Sequence, residues 1–102
     1  MYRYTTPTLP ITISDINFDD VQLFRIAIEQ GMTEMLKVVN ADDETVDAET
    51  NTIYVPLTQE ETASFNEGHV VIQARILFNT GAVMATKKAK VSVSDVLDEV
   101  II

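Results

Sequence analysis

Sixteen acidic side chains and one histidine are the groups with which this chain could do acid–base or metal chemistry, and it has no cysteine. Without a thiolate there is no disulfide, no thiol nucleophile and no cysteine-based zinc site. His69 would need an activated nucleophile beside it to act as a catalytic base. None of Ser14, Ser64, Ser92 and Ser94 stands in a G-x-S-x-G or comparable setting. Asp15, Asn17 and Asp19 have the 1-3-5 oxygen spacing that opens a calcium loop. Asp20, however, occupies the position that needs glycine, and Ile26 the position of the bidentate glutamate. The stretch therefore reads as a loop with Asx-turn chemistry. The acidic run Asp42, Asp43, Glu44, Asp47 and Glu49 reads as a solvated loop. The 3 glycines have no phosphate-cradling spacing. These residues point to no catalytic site, no metal and no cofactor.

The charge is unevenly placed. Residues 1–66 hold 3 basic and 12 acidic side chains, residues 67–94 hold 4 basic and 1 acidic, and the whole carries −9. A field of that sign repels phosphate backbones, so nucleic acid is not an expected partner. Lys87, Lys88 and Lys90 form the basic cluster. Without interleaved aromatics it is a poor nucleic-acid signal, and a better device for guarding a sheet edge or meeting an acidic neighbour. No apolar run approaches the 18 or so residues of a membrane span. The opening Met1–Pro7 has no apolar leader core, which predicts synthesis and folding in the cytosol with no membrane partner.

The elements that must position these groups are strands. Leu9, Ile11 and Ile13 alternate with polar residues around Pro10, which cannot donate to a ladder and so predicts an edge. In 21–29, Phe24, Ile26 and Ile28 share one face, and Leu23, Arg25, Ala27 and Glu29 share a half-wet opposite one. Gln30-Gly31 predicts a hairpin, and Met35–Val39 a third strand with Leu36 and Val38 inward. A short strand near Thr45–Val46 and a clear one over Ile53, Val55 and Leu57 follow, the latter closed by Pro56. Thr58-Gln59-Glu60-Glu61 carries a capping box that allows about one helical turn, pinned by Phe65. The longest strand puts Val70, Ile72, Ala74, Ile76 and Phe78 on one face. It turns at Asn79-Thr80-Gly81 and returns over Val83–Val93, with a bulge or bend near Lys87–Lys88.

At 102 residues and 46% hydrophobic the chain suits one domain with its own core. Six or seven short strands with turns every 8–12 residues predict an all-β, immunoglobulin-like antiparallel sandwich, with a small β-barrel as the alternative. The sandwich is expected over 1–94, with 95–102 a tail docked on it or on a partner. The predicted core comprises Ile11, Phe24, Ile26, Ile28, Leu36, Ile53, Val55, Leu57, Phe65, Val70, Ile72, Ile76 and Phe78. Lys87, Lys88, Lys90 and the apolar end Val100, Ile101 and Ile102 are the candidate contact residues.

Several stretches also carry a resemblance. Thr6-Pro7-Thr8-Leu9-Pro10-Ile11-Thr12-Ile13 resembles the opening strand of small proteins encoded in tail-gene regions of phages and prophages of Gram-positive bacteria. Leu57–Phe65, Ile72–Ile76, Gly81–Thr86 and Ser94–Ile101 are similar to further parts of that group. The group resembles the N-terminal immunoglobulin-like domain of phage baseplate upper proteins, an assembly module. The resemblance implies a non-enzymatic virion or tail-assembly protein. Its partners would be other phage structural proteins or further copies of itself, and it would pass from the bacterial cytoplasm into the virion. The alternative is an immunoglobulin-like binding module for a cell-surface protein or glycan.

Overall fold

A computed structural model describes residues 1–102. Eight strand segments and one short helix follow in order: β1 (Thr8–Thr12), β2 (Val21–Gln30), β3 (Thr33–Asn40), β4 (Val46–Asp47), β5 (Thr52–Pro56), α1 (Gln59–Ala63), β6 (Gly68–Phe78), β7 (Val83–Ala85) and β8 (Ala89–Val93). They make two antiparallel sheets. One has the order β1-β5-β4; the other runs β3-β2-β6, with β7 and β8 both pairing β6. The sheets form a β-sandwich and do not close into a barrel. The chain changes sheet between β1 and β2, between β3 and β4, and between β5 and β6. That is the crossing pattern of an immunoglobulin-like sandwich, with β1, β5 and β4 in the places of B, E and D and the other sheet in those of C′, C, F and G. Since β7 and β8 share one lane, the eight segments fill seven. No helix is long and apolar enough to cross a membrane.

Local sequence accounts for most of these elements. β1 is an edge strand, and Pro10 sits opposite Tyr54 in its pairing with β5. Gln30 pairs Thr33 across Gly31 and Met32. Gly31 takes φ +57°, the positive value a two-residue turn of this kind needs at its first central residue. The capping box forms as the sequence predicts: Thr58 Oγ1 accepts from the Glu61 backbone at 3.2 Å, and the Glu61 carboxylate accepts from the Thr58 N–H at 2.9 Å. The bulge is also present. Ala85 lies opposite Arg75 and Ala89 opposite Ile72, so four steps on the return strand match three on β6. The extra residue flips the alternation. Val83 and Ala85 consequently face outward, whereas Val91 and Val93 face inward.

The core lies between the sheets. Phe24, Ile26, Ile28, Ile53, Phe65 and Val70 are fully buried, and Val55, Leu57, Ile72 and Ile76 nearly so. Leu9, Ile13, Phe18, Val21, Ala74 and Val93 complete it, beyond the predicted set. Ile11 and Phe78 are half-buried at its margin. Leu36 is a correction: it is 48% exposed and Val38 is 54% exposed, so both point to solvent. The register gives the reason. Phe24, Ile26 and Ile28 pair Val39, Lys37 and Met35, and opposed residues share a face, so the odd-numbered residues of β3 turn inward. Lys37 follows its strand inward and meets Glu61 of α1 at 2.6 Å. A lysine aimed in from an edge strand is also a guard against edge-to-edge pairing.

The exposed surface is 6444 Å², against about 5,800 Å² from the mass scaling. The radius of gyration is 14.4 Å, against about 13 Å for a compact chain of this length. The molecule is drawn out to 47 × 26 × 17 Å. A long, thin shape leaves large sheet faces uncovered.

Candidate interaction surface

The larger sheet has no second layer on its outer side, and register alone places the side chains there. Because alternate residues face opposite ways, the residues between the buried ones of β2 line this face. Four rows cross it, named from β3 through β2 to β6. They are Asn40–Leu23–Leu77, Val38–Arg25–Arg75, Leu36–Ala27–Gln73 and Glu34–Glu29–Val71. β7 extends the first two rows with Val83 and Ala85, and β8 extends the fourth with Lys90. Leu36, Val38 and Val83 are exposed aliphatics, while Leu23, Ala27, Val71 and Leu77 are half-buried.

Two of these rows hold like charges opposite one another. Arg25 faces Arg75 across β2 and β6, and Glu29 faces Glu34 across β2 and β3. Cross-strand neighbours sit about 5 Å apart at Cβ, and like charges in that position destabilise a sheet. Neither arginine has a carboxylate partner. Of the 7 basic residues in the chain, Arg3 pairs Asp95 and Glu99, and Lys37 pairs Glu61. The five without an ion pair, Arg25, Arg75, Lys87, Lys88 and Lys90, all belong to the larger sheet or to the bulge within it. An open concavity of about 710 Å³ lies over the same face, with Ala27, Glu29, Val71, Gln73 and Lys88 in its wall.

The predicted contact residues occupy two separate places. Lys87 and Lys88 are exposed in the bulge between β7 and β8, and Lys90 projects from the outer face of β8. The bulge is tied to β6 by Thr86, whose N–H donates to Ala74 O at 2.9 Å and whose O accepts from Gln73 Nε2 at 2.8 Å. Val100, Ile101 and Ile102 are exposed on a segment that folds back toward α1. There the Gln59 amide pairs with the Ile102 backbone in both directions, at 2.6 and 2.9 Å. Arg3 holds the same segment through Asp95 at 2.9 Å and Glu99 at 3.1 Å, and donates from its other nitrogens to the carbonyls of Ala63 and Phe65. The Asp95 carboxylate, bonded to it directly, raises the guanidinium pKa against the cost of its burial. The structure does not bring the lysines and the apolar end together.

The residues singled out for chemistry stand apart from one another. His69 is exposed near the start of β6, and its carbonyl accepts from Gln30 Nε2 at 3.3 Å. Asn17 caps a 3-10 turn over Phe18–Asp20 by accepting from the Asp19 N–H at 3.0 Å, which is the Asx-turn chemistry expected there. Asp43 accepts from the backbone and the hydroxyl of Thr45, and those bonds lower its pKa. No three of His, Cys, Asp and Glu converge to hold a metal ion.

The sequence reasoning missed Arg25, Arg75, Glu29 and Glu34 as a surface. One signal for half of it was present. A two-residue loop at Gly31-Met32 forces Gln30 opposite Thr33, which sets Glu29 against Glu34 and Ala27 against Leu36 by counting outward. No family model, curated protein or solved structure matches the chain.

Proposed function

We infer that this chain is a non-enzymatic assembly module, a structural or tail-assembly component of a phage or prophage that acts through protein–protein contacts. The outer face of the larger sheet is its contact surface. The observation that carries the contact reading is the opposed Arg25–Arg75 pair, without a carboxylate and set among exposed Val38, Leu36 and Val83 in a molecule of net charge −9. A repulsive pair on a bare sheet gains nothing for the isolated domain, and such charge finds its use against carboxylates presented by a partner. The phage setting is supported by the likeness of Thr6–Ile13, Leu57–Phe65, Ile72–Ile76, Gly81–Thr86 and Ser94–Ile101 to proteins of tail-gene regions. On this reading the chain folds in the bacterial cytoplasm and is then built into particles.

Mass spectrometry of purified particles from producing cells tests the setting. The chain should be present in fixed stoichiometry with the tail proteins. Its absence from particles whose tails are complete would overturn the assignment. Val38→Asp tests the surface, because it places a carboxylate on the contact face without touching the core. It should abolish incorporation while leaving the melting temperature within a few degrees of the parent.

A further inference from the structure

We propose that the outer face of the larger sheet is closed by a second copy of this chain, related by a two-fold axis along the Leu36–Ala27–Gln73 row, so that Arg25 of each copy meets the partner's Glu29. The inference rests on the reading of that face as a contact surface and names what covers it.

The arrangement of rows selects the occupant. The arginine row and the glutamate row lie on either side of the Leu36–Ala27–Gln73 row, at equal steps along the strands. A two-fold axis along the middle row keeps each strand over its own copy and reverses its direction. The arginine row of one molecule therefore falls on the glutamate row of the other. Arg25 lies over the partner's Glu29 twice, once from each side, and Leu36, Ala27 and Gln73 of the middle row meet their own copies. The other face-to-face arrangement has its axis along the strands and keeps every row opposite itself. It lays Arg25 over the partner's Arg75 and Glu29 over the partner's Val71, which stacks four guanidinium groups together in a closing interface. Charge repulsion of that kind excludes it.

The face is large enough for this role. Four lanes about 4.8 Å apart and about eight residues long at about 3.4 Å each give a patch on the order of 500 Å² per copy. Two copies then bury about 1,000 Å², the lower bound for a specific interface. Sheets that pack face to face do so with strand directions about 30° apart, their facing side chains interdigitating. Like charges that oppose one another within each copy become a mixed layer of both signs in the pair, so association relieves a repulsion that folding alone leaves in place.

Charge reversal tests the pairing directly. In Arg25→Glu, both contacts set a new carboxylate against the partner's Glu29; in Glu29→Arg, both set Arg25 against a new guanidinium. Each variant should weaken dimerisation tenfold or more in sedimentation equilibrium, with the unfolding midpoint of the dilute monomer no lower than the parent's, because both positions are exposed and each change sets an opposite charge against Arg75 or Glu34 within the copy. Mixed in equal amounts, the two variants should form a one-to-one heterodimer, since both contacts are then attractive. A wild-type chain that stays monomeric at sub-millimolar concentration would overturn the proposal, and so would variants that dimerise as well as wild type or fail to pair on mixing. The particle experiment remains independent. A monomeric chain found in particles sinks only the two-fold contact, whereas a dimer absent from particles sinks only the phage assignment.

Discussion

Thr62 is fully buried, and its hydroxyl serves the chain as a backbone group would. It accepts from the Thr5 N–H at 3.1 Å and donates to the Thr5 carbonyl at 2.9 Å, so α1 and the opening segment are joined through one side chain. Thr62→Val keeps the shape and strands both Thr5 groups. It should cost about 1–3 kcal/mol, measured by chemical denaturation. Core size is tested in the same way. Phe24 is fully buried and touches Phe18 with ring centroids 4.9 Å apart, so Phe24→Ala should cost about 3–5 kcal/mol. Leu36→Ala should stay within about 0.5 kcal/mol in the dilute monomer, since Leu36 packs on the outer face of an edge strand. A large loss there would mean that β3 is turned the other way.

α1 matters at the scale of elements because it ties the two sheets together. Thr58 and Glu61 cap it, and Glu61 also receives Lys37 from β3 at 2.6 Å. Burial opposes ionisation of Glu61, but the Lys37 ammonium and the Thr58 N–H outweigh it and hold its pKa below the ordinary 4.5. A carboxyl with a depressed folded pKa stabilises fully above its unfolded value and loses that contribution as pH falls through the folded one. Glu61→Gln keeps the capping bond and removes the charge. It should cost about 1 kcal/mol at neutral pH, and the gap from wild type should close as pH falls below 4.5. Thermal melts of both proteins across pH check this, and a gap constant with pH would refute it. The closing segment offers a contrast. Its Arg3–Glu99 pair and its Gln59–Ile102 bonds are exposed, so deleting 96–102 should cost under about 1 kcal/mol while Asp95 keeps Arg3 in place.

Across the whole molecule the charges are sorted rather than mixed. The acidic loop of 42–49 lies beyond β3 and around β4, and every lysine and arginine without an ion pair lies on the larger sheet or its bulge. Such sorting acts on association more than on folding. Raising salt from physiological strength to about 1 M shortens the screening length from about 8 to about 3 Å. The two-fold dimer should then weaken severalfold in sedimentation equilibrium while the unfolding midpoint changes little. An association that salt strengthens would be held by the aliphatic rows alone.

Alternation in the sequence made the strands and most of the core legible. Phe24, Ile26, Ile28, Ile53, Val55, Val70, Ile72 and Ile76 lie inside because a period of two leaves one face apolar, and a chain in water buries that face. Pro10, Gly31 and the Thr58–Glu61 box marked an edge, a turn and a cap, since each is a local demand of the backbone. β3 was not legible from its own residues. Met35, Leu36, Lys37, Val38 and Val39 offer an apolar side chain on either face, and pairing with β2 chose the face that carries Lys37 inward. The parity flip across Thr86–Lys88 depends in the same way on how the return strand meets β6. The contact surface belongs to this second kind. Arg25 and Arg75 are separated by fifty positions in the chain, and only the β2–β6 register, a long-range pairing, sets one against the other.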